Sequence, residues 1–187
     1  MANNAFVFID GNNFYFKLKE LTSKLTTEFS LLDFDFKGFA KWLVEGNNLI
    51  EVHYYIGAVK RQLNSQKSEK MYANQQRLLR GLQRQNIIVS LGQLIRHPDK
   101  TYHEKGVDVR LAVEMIRFAR QDKYGIAYLI SSDTDLVPAV EEVKAFGKKV
   151  QYIGIPKGQS FGLSVVADDV RLLRAEDIGQ FLPQSLI

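Results

Sequence analysis

The chain has 187 residues, with 25 Lys+Arg against 21 Asp+Glu, 45% hydrophobic residues and no cysteine. The absence of cysteine excludes every thiolate function: Cys-ligated zinc, iron–sulfur clusters, cysteine nucleophiles and redox pairs. Ordinary hydrophobic and charged fractions argue against wholesale disorder. No apolar run approaches the ~18 residues of a membrane span, and the Met-Ala-Asn-Asn start lacks the basic and long apolar regions of a secretory signal. The expectation is one cytoplasmic domain over residues 1–187 with no membrane partner.

Ala5–Ile9 (AFVFI) is a short apolar run ending in Asp10-Gly11-Asn12-Asn13, which predicts a buried strand and a turn. A helix is expected over Phe14–Leu25, a connector over Ser30–Asp35, and a second helix over Phe36–Val44 that stops near Gly46-Asn47-Asn48. Leu49–Val59 is rich in β-formers and predicts the second strand. Ser65–Gln85 has helical period, with Met71, Leu78, Leu79 and Leu82 on one side and Lys67, Lys70, Arg77, Arg80 and Arg84 on the other. Ile87–Ser90 and Gln93–Ile95 predict a third strand bent at Gly92, and His97–Gly106 a polar loop. A helix over Val107–Arg120, a strand over Ile126–Ser131, a helix over Asp135–Phe146 and a strand over Lys149–Ile155 follow. A strand at Val170–Leu173 and a helix near Glu176–Leu182 close the chain. Alternating strands and helices predict an α/β fold: one three-layer α/β/α domain around a parallel sheet.

Ligands of open α/β sheets bind outside the carboxyl ends of the strands, where the strand order reverses. Two apolar strands run directly into carboxylates there: the first into Asp10, and YLIS into Ser132-Asp133-Thr134-Asp135. Asp108 opens the helix before YLIS. It stands three and seven residues before Leu111 and Met115, so it is expected on their inward stripe, aimed at the sheet edge. Carboxylates converging at one edge repel without a cation. Mg²⁺ or Mn²⁺, which take oxygen ligands, answer that need and support phosphodiester hydrolysis. Each acid also has a local reading: Asp10 as a turn former, and Asp133, Asp135 and Asp108 as residues that cap or favour a helix start.

These blocks together resemble a known family. Asp10-Gly11-Asn12-Asn13 after a strand, Lys105-Gly106-Val107-Asp108 opening a helix, and Ser131-Ser132-Asp133-Thr134-Asp135 after a strand are similar to the signature blocks of NYN domains. More narrowly they resemble the LabA-like branch within the PIN-like nuclease superfamily. Gly147-Lys148-Lys149-Val150, Leu163 and Ala167-Asp168 agree with the closing segment, and the likeness spans about Phe6 to Leu173. It implies a parallel sheet ordered 3-2-1-4-5 and a Mg²⁺- or Mn²⁺-dependent ribonuclease-like site. Asp10, Asp108 and Asp133 would be the metal-binding core, with Asp135 a further ligand or an outer acid. Asn13 would orient a ligand or water, or touch substrate. No role carries to Asp168, whose position suits a structural acid.

On the substrate side, the segment Lys60–Arg84 holds seven cations and one anion, a concentration suited to a polyanion such as RNA. Lys70, Arg77, Arg80 and Arg84 are candidates to track a nucleic-acid backbone, and Lys105 to meet a phosphate near the metals; plain solvated residues are the other reading. Tyr54, Tyr55, Tyr72 and Tyr102 are candidates for base stacking, although at least one of Tyr54 and Tyr55 belongs in the core. His53 reads as structural, and His97 and His103 lie in the loop before Asp108. There is no serine elbow, phosphate loop or dinucleotide fingerprint. A haloacid-dehalogenase-type phosphatase needs an Asp two residues after its nucleophile, where this chain has Asn12. Three readings remain: a metal-dependent RNA hydrolase, a non-catalytic RNA-binding module of the same fold, and a hydrolase of small phosphate esters. A homo-oligomer is left open.

Overall fold

The computed structural model describes residues 2–23, 30–59, 61, 65–96 and 102–183. In chain order the elements are β1 (Asn4–Asp10), α1 (Gly11–Leu21), α2 (Phe36–Leu43), β2 (Asn48–Ile56), α3 (Gln66–Arg84), β3 (Ile88–Leu91), β4 (Gln93–Arg96) and β5 (Tyr102–Lys105). There follow α4 (Val107–Arg120), β6 (Ile126–Ile130), a single 3₁₀ turn (Thr134–Leu136), α5 (Val137–Ala145), β7 (Lys149–Gly154), α6 (Phe161–Val166), β8 (Asp169–Leu172) and α7 (Ala175–Gly179). The main sheet is all parallel in the order β3-β2-β1-β6-β7-β8. Counted within the sheet this is 3-2-1-4-5-6, the expected PIN-like order with one strand added at the far edge.

β1 shows why the sequence folds this way. Its side chains alternate between the two faces. Ala5, Val7 and Ile9 enter a core with Phe14 and Leu18 of α1, Phe36 and Phe39 of α2, Leu82 of α3 and Ile178 of α7. Phe6 and Phe8 enter a second core with Leu111, Met115 and Phe118 of α4, Val140 of α5 and Leu163 of α6. The central strand is therefore buried on both sides, as its unbroken apolar run requires in a parallel sheet. Side-chain oxygens of Asp35, Ser65 and Ser160 cap α2, α3 and α6.

Several local expectations change. The third strand is two: β3 joins the main sheet, and past Gly92 β4 turns away to pair antiparallel with β5, part of the segment expected as a loop. The helix expected over Asp135–Phe146 starts as a 3₁₀ turn, and α5 proper begins at Val137. Its inward face follows Pro138 at the first turn. On α3, Leu82 is buried and Leu78 and Leu79 half-buried, but Met71 is 51% exposed, and the buried polar residue is Gln75. Gln75 bonds the Gly57 carbonyl and the Val59 N–H, tying α3 to the end of β2. Tyr54 and Tyr55 are both buried, so neither is a free stacking platform; Tyr72 is 36% exposed. His53 is buried among Phe6, Phe8 and Phe118. Burial pushes its pKa down, so it is a neutral core residue bonded to Glu51. Lys60 and His97 lie outside the described residues.

Candidate active site

The strand order reverses at β1: the chain moves outward through β2 and β3, then returns to β1's other side with β6. The crevice at the carboxyl ends of β1 and β6 is where this architecture holds ligands. Ile9 pairs with Ile130, so Asp10 and Ser131 leave the sheet side by side. Asp10 follows Phe6 and Phe8 in the alternation, towards the α4 layer. Gly11 follows because nothing larger fits: a Cβ there would stand 2.4 Å from the Tyr54 ring and 2.8 Å from the Tyr55 carbonyl.

Asp10 is 6% exposed. Its Oδ1 accepts the Asn13 N–H at 3.1 Å, capping α1, and its Oδ2 accepts the Ser131 hydroxyl at 3.0 Å. Ser131 Oγ in turn accepts the Asp133 N–H at 3.1 Å, and Asp133 Oδ1 accepts the Asp135 N–H at 3.0 Å. Ser132 donates to Asn13 Oδ1 at 3.0 Å, which leaves the Asn13 amide nitrogen without a partner among the described residues. One network thus joins the exits of β1 and β6. Asp108 reaches it from the first turn of α4, after Gly106 turns the chain out of β5 at φ +83°.

Asp108 departs from expectation in one respect. The buried stripe of α4 is Val107, Leu111 and Met115, and Asp108 stands beside it, exposed. Asp108 lies 100° round the axis from Val107, and in this first turn only Val107 is covered. Asp108 still faces the same crevice. Its carboxyl is partly withdrawn from water there, and this together with the charges of Asp133 and Asp135 holds it above the usual range. Burial pushes Asp10 up as well; its two hydrogen bonds oppose this, and the charges of Asp108 and Asp133 add to it. The four acids foreseen from the sequence therefore feel one another, and no Lys or Arg pairs with any of them among the described residues. Among those residues no three His, Cys, Asp or Glu side chains stand close enough to form a ready-made metal cluster. The donors are hard carboxylate oxygens in uncompensated repulsion, chemistry that suits Mg²⁺ or Mn²⁺ with water completing the shell. Were such an ion bound at this crevice, Asp10, Asp108 and Asp133 are the acids that would hold it.

The basic candidates divide. Lys105 is exposed at the end of β5, three residues before Asp108. The Gln75–Gly57 bond fixes the first half of α3 at the carboxyl end of β2, so Lys70 lies at the same end of the sheet as the acids. Arg84 lies about 21 Å further along the helix axis at 1.5 Å per residue. Arg77, Arg80 and Arg84 instead line a separate cavity with Leu32 and Asp33. Asp168 is structural, accepting the Val150 N–H and pairing with Lys144.

Sequence reasoning missed the supporting roles of four side chains. Ser131 and Ser132 were visible as the Ser pair before Asp133, a position where a hydroxyl can bridge two strand ends. Tyr55 and Glu114 gave no local signal: the Tyr55 hydroxyl donates to buried Glu114 Oε2 at 2.8 Å across 59 residues of chain. Glu114 also pairs within α4 with Arg110 and Arg117, so its carboxylate is held in place while the Tyr55 bond ties α4 to β2, the strand that adjoins β1.

Among the described residues no helix is long and apolar enough to cross a membrane. The fold is similar to the crystal structure of a protein of unknown function from Vibrio parahaemolyticus, with TM-score 0.65 and 21% identity, covering 95% of this chain and 96% of that one. A looser likeness, TM-score 0.42 and 10% identity, is to a putative UDP-N-acetylglucosamine 2-epimerase from Listeria monocytogenes, covering 96% of this chain and 42% of that one. No curated protein matches the sequence. The NYN domain model matches residues 4–173, from the start of β1 to the residue after β8 and across all three acidic blocks, and the chain belongs to the NYN domain family.

Proposed function

We propose that this protein is a divalent-metal-dependent hydrolase of RNA phosphodiester bonds, of the LabA-like branch, acting at the crevice between β1 and β6. The observation that carries this reading is the convergence of Asp10, Asp108, Asp133 and Asp135 from three elements, each raising another's pKa or lying in its field, with no cation partner among the described residues. The NYN domain implies a PIN-like nuclease fold and supports the same reading. Mg²⁺ or Mn²⁺ at Asp10, Asp108 and Asp133 would lower the pKa of a water and steady the departing oxygen. The chain's own residues do the rest. Ser131 fixes the Asp10 carboxylate and leaves lone pairs free on both of its oxygens. Asp135 adds negative charge at the outer edge. The unpartnered amide of Asn13 and the ammonium of Lys105 meet phosphate oxygens.

The small-ester reading is weaker. The cavity lined by Asn13, Ser131 and Ser132 holds about 20 Å³, below the size of a substrate pocket, whereas an open groove of about 380 Å³ begins at Gly11. The test is cleavage of labelled RNA by purified protein with Mn²⁺ or Mg²⁺, with chelator as control. Asp10→Asn and Asp133→Asn are expected to abolish cleavage with the circular dichroism unchanged. Cleavage surviving both substitutions overturns the site. Turnover of a phosphomonoester but not of RNA selects the small-ester reading, and RNA binding without turnover under any metal selects the non-catalytic module.

A further inference from the structure

We propose that the strand is bound unpaired: the groove between α1 and α3 takes one of its bases, and Arg77, Arg80 and Arg84 hold its backbone further along. The proposal rests on the RNA hydrolase reading and names its substrate class. The groove starts at Gly11 and Asn12, immediately after Asp10. Half-buried Ile56 lines it, with the fully buried Tyr54 ring beneath, Phe16 on the α1 side, and Met71, Asn74 and Gln75 on the α3 side. Phe16 and Met71 are 67% and 51% exposed, unusual for large apolar side chains facing one groove. Gln75 is already committed to Gly57 and Val59, so the amides free to read a base edge are Asn12 and Asn74. The lining is apolar surface and neutral amides with no formal charge, which matches the face and edge of a nucleobase rather than a phosphate.

The phosphates have their own place. Leu32 lines both this groove and the cavity holding Arg77, Arg80 and Arg84, so the two adjoin. The three guanidiniums make no ion pair among the described residues, even with Asp33 in the same cavity. Lys67, Lys70, Asn74, Arg77 and Arg84 follow one another at helical spacings of three, four and seven, so the groove's α3 edge continues as the cationic stripe. A polyanion leaving the acids along this edge meets a base-sized apolar slot first and guanidiniums next. In a duplex the bases face each other and none is free to enter the slot.

The test is anisotropy of a labelled, unstructured RNA titrated with protein in chelator, with cleavage in Mn²⁺ followed separately. The probes are that strand, a strand of the same length whose sugars carry no bases, and a blunt duplex. The protein forms are the parent, Phe16→Ala/Met71→Ala, and Arg77→Ala/Arg80→Ala/Arg84→Ala; all five side chains are exposed, so the fold is expected to persist, and melting curves check this. The parent should prefer the unpaired strand, and the groove variant should bind it about 5-fold or more weakly, in line with loss of one stacked base. The base-free strand should not distinguish parent from groove variant. The arginine variant should flatten the slope of log Kd against log salt by about 2. Equal binding by parent and groove variant, or equal binding of duplex and single strand, overturns the proposal. Groove-dependent binding without cleavage under any metal refutes the hydrolase reading and leaves the groove standing; cleavage with groove-independent binding does the reverse.

Discussion

Replacing Asp10 separates its two roles. Its folded-state carboxyl is raised above the usual 3.8 by burial and by the charges of Asp108 and Asp133, whereas in the unfolded chain it ionises near the usual value. Between those two pKa values the folded protein holds the proton and the unfolded chain does not. Stability therefore falls as pH climbs through that window, and the full penalty is present above it. Asp10→Asn removes the charge and keeps an oxygen for the Asn13 N–H, with Ser131 free to reorient towards the new amide. At pH 7, in chelator, this variant should be more stable than the parent, and the difference should shrink as pH falls and Asp10 takes up its proton. Asp10→Ala loses the α1 cap, about 1 kcal/mol, and leaves the buried Ser131 hydroxyl without its acceptor, about 1 kcal/mol more. The Asn variant should therefore exceed the Ala variant by about 2 kcal/mol, or about 4–8 °C in Tm for a chain of this size. Thermal and urea denaturation from pH 4 to pH 7 measure both gaps. Adding Mg²⁺ should raise the parent and leave the Asn variant unmoved, since only the ion-binding state gains by mass action. A parent that is the most stable of the three at pH 7 in chelator, or Asn and Ala variants of equal stability, would refute the account of a strained, charged cap.

Gly11→Ala gains about 1 kcal/mol of helix propensity but forces a carbon to 2.4 Å from the Tyr54 ring and 2.8 Å from the Tyr55 carbonyl. Overpacking of about 1–3 kcal/mol should win, and a urea midpoint at or above the parent's would contradict it. Gly106→Ala meets no neighbour within 4 Å, so its cost is the left-handed backbone alone, about 1–2 kcal/mol. Cleavage should fall further than that stability loss explains, because Asp108 is two residues on. Tyr55→Phe removes a buried donor to Glu114 and should destabilise by about 1.5 kcal/mol, the low end for a bond to a charged group, because Arg110 and Arg117 still serve the carboxylate. A neutral result in urea would mean that the Tyr55–Glu114 bond does not hold α4.

The parts of the fold legible in sequence were those set by local pattern. The unbroken AFVFI run announced a strand buried on both faces, and the helical period from Val107 to Arg120 gave α4 its full extent. The acids were legible because each ends an apolar strand or opens a helix. What was not legible depends on distant chain. Gly92 marked a bend, but whether the segment beyond it stays in the sheet depends on β5 arriving as a partner. α6 is six residues long with glycine as its second, too short to show a period. A position one residue off the buried stripe looks alike at spacings of three and seven, so the sequence puts Asp108 on that stripe, and only the packed helix fixes its phase. The Tyr55–Glu114 bond joins β2 to α4 and leaves no trace in either segment alone.

Asp10 also bears on why this crevice is a site and not merely a well-capped junction. An N-cap needs only an acceptor, and Ser, Thr or Asn supplies one without a buried charge. Here the cap is a carboxylate withdrawn from water, close enough to Asp108 and Asp133 for their charges to disfavour its ionised form, with no cation beside it among the described residues. Ser131 stabilises the ionised form through one hydrogen bond but contributes no charge. Capping α1 makes no use of the net negative charge assembled between β1, β6 and α4, and neither does packing against the Phe6 and Phe8 layer. That charge is useful only to something positive arriving from solvent. On the proposed reading, the groove leading away from it, apolar at first and then adjoined by arginines, would take the anionic strand that such a cation would help to cut.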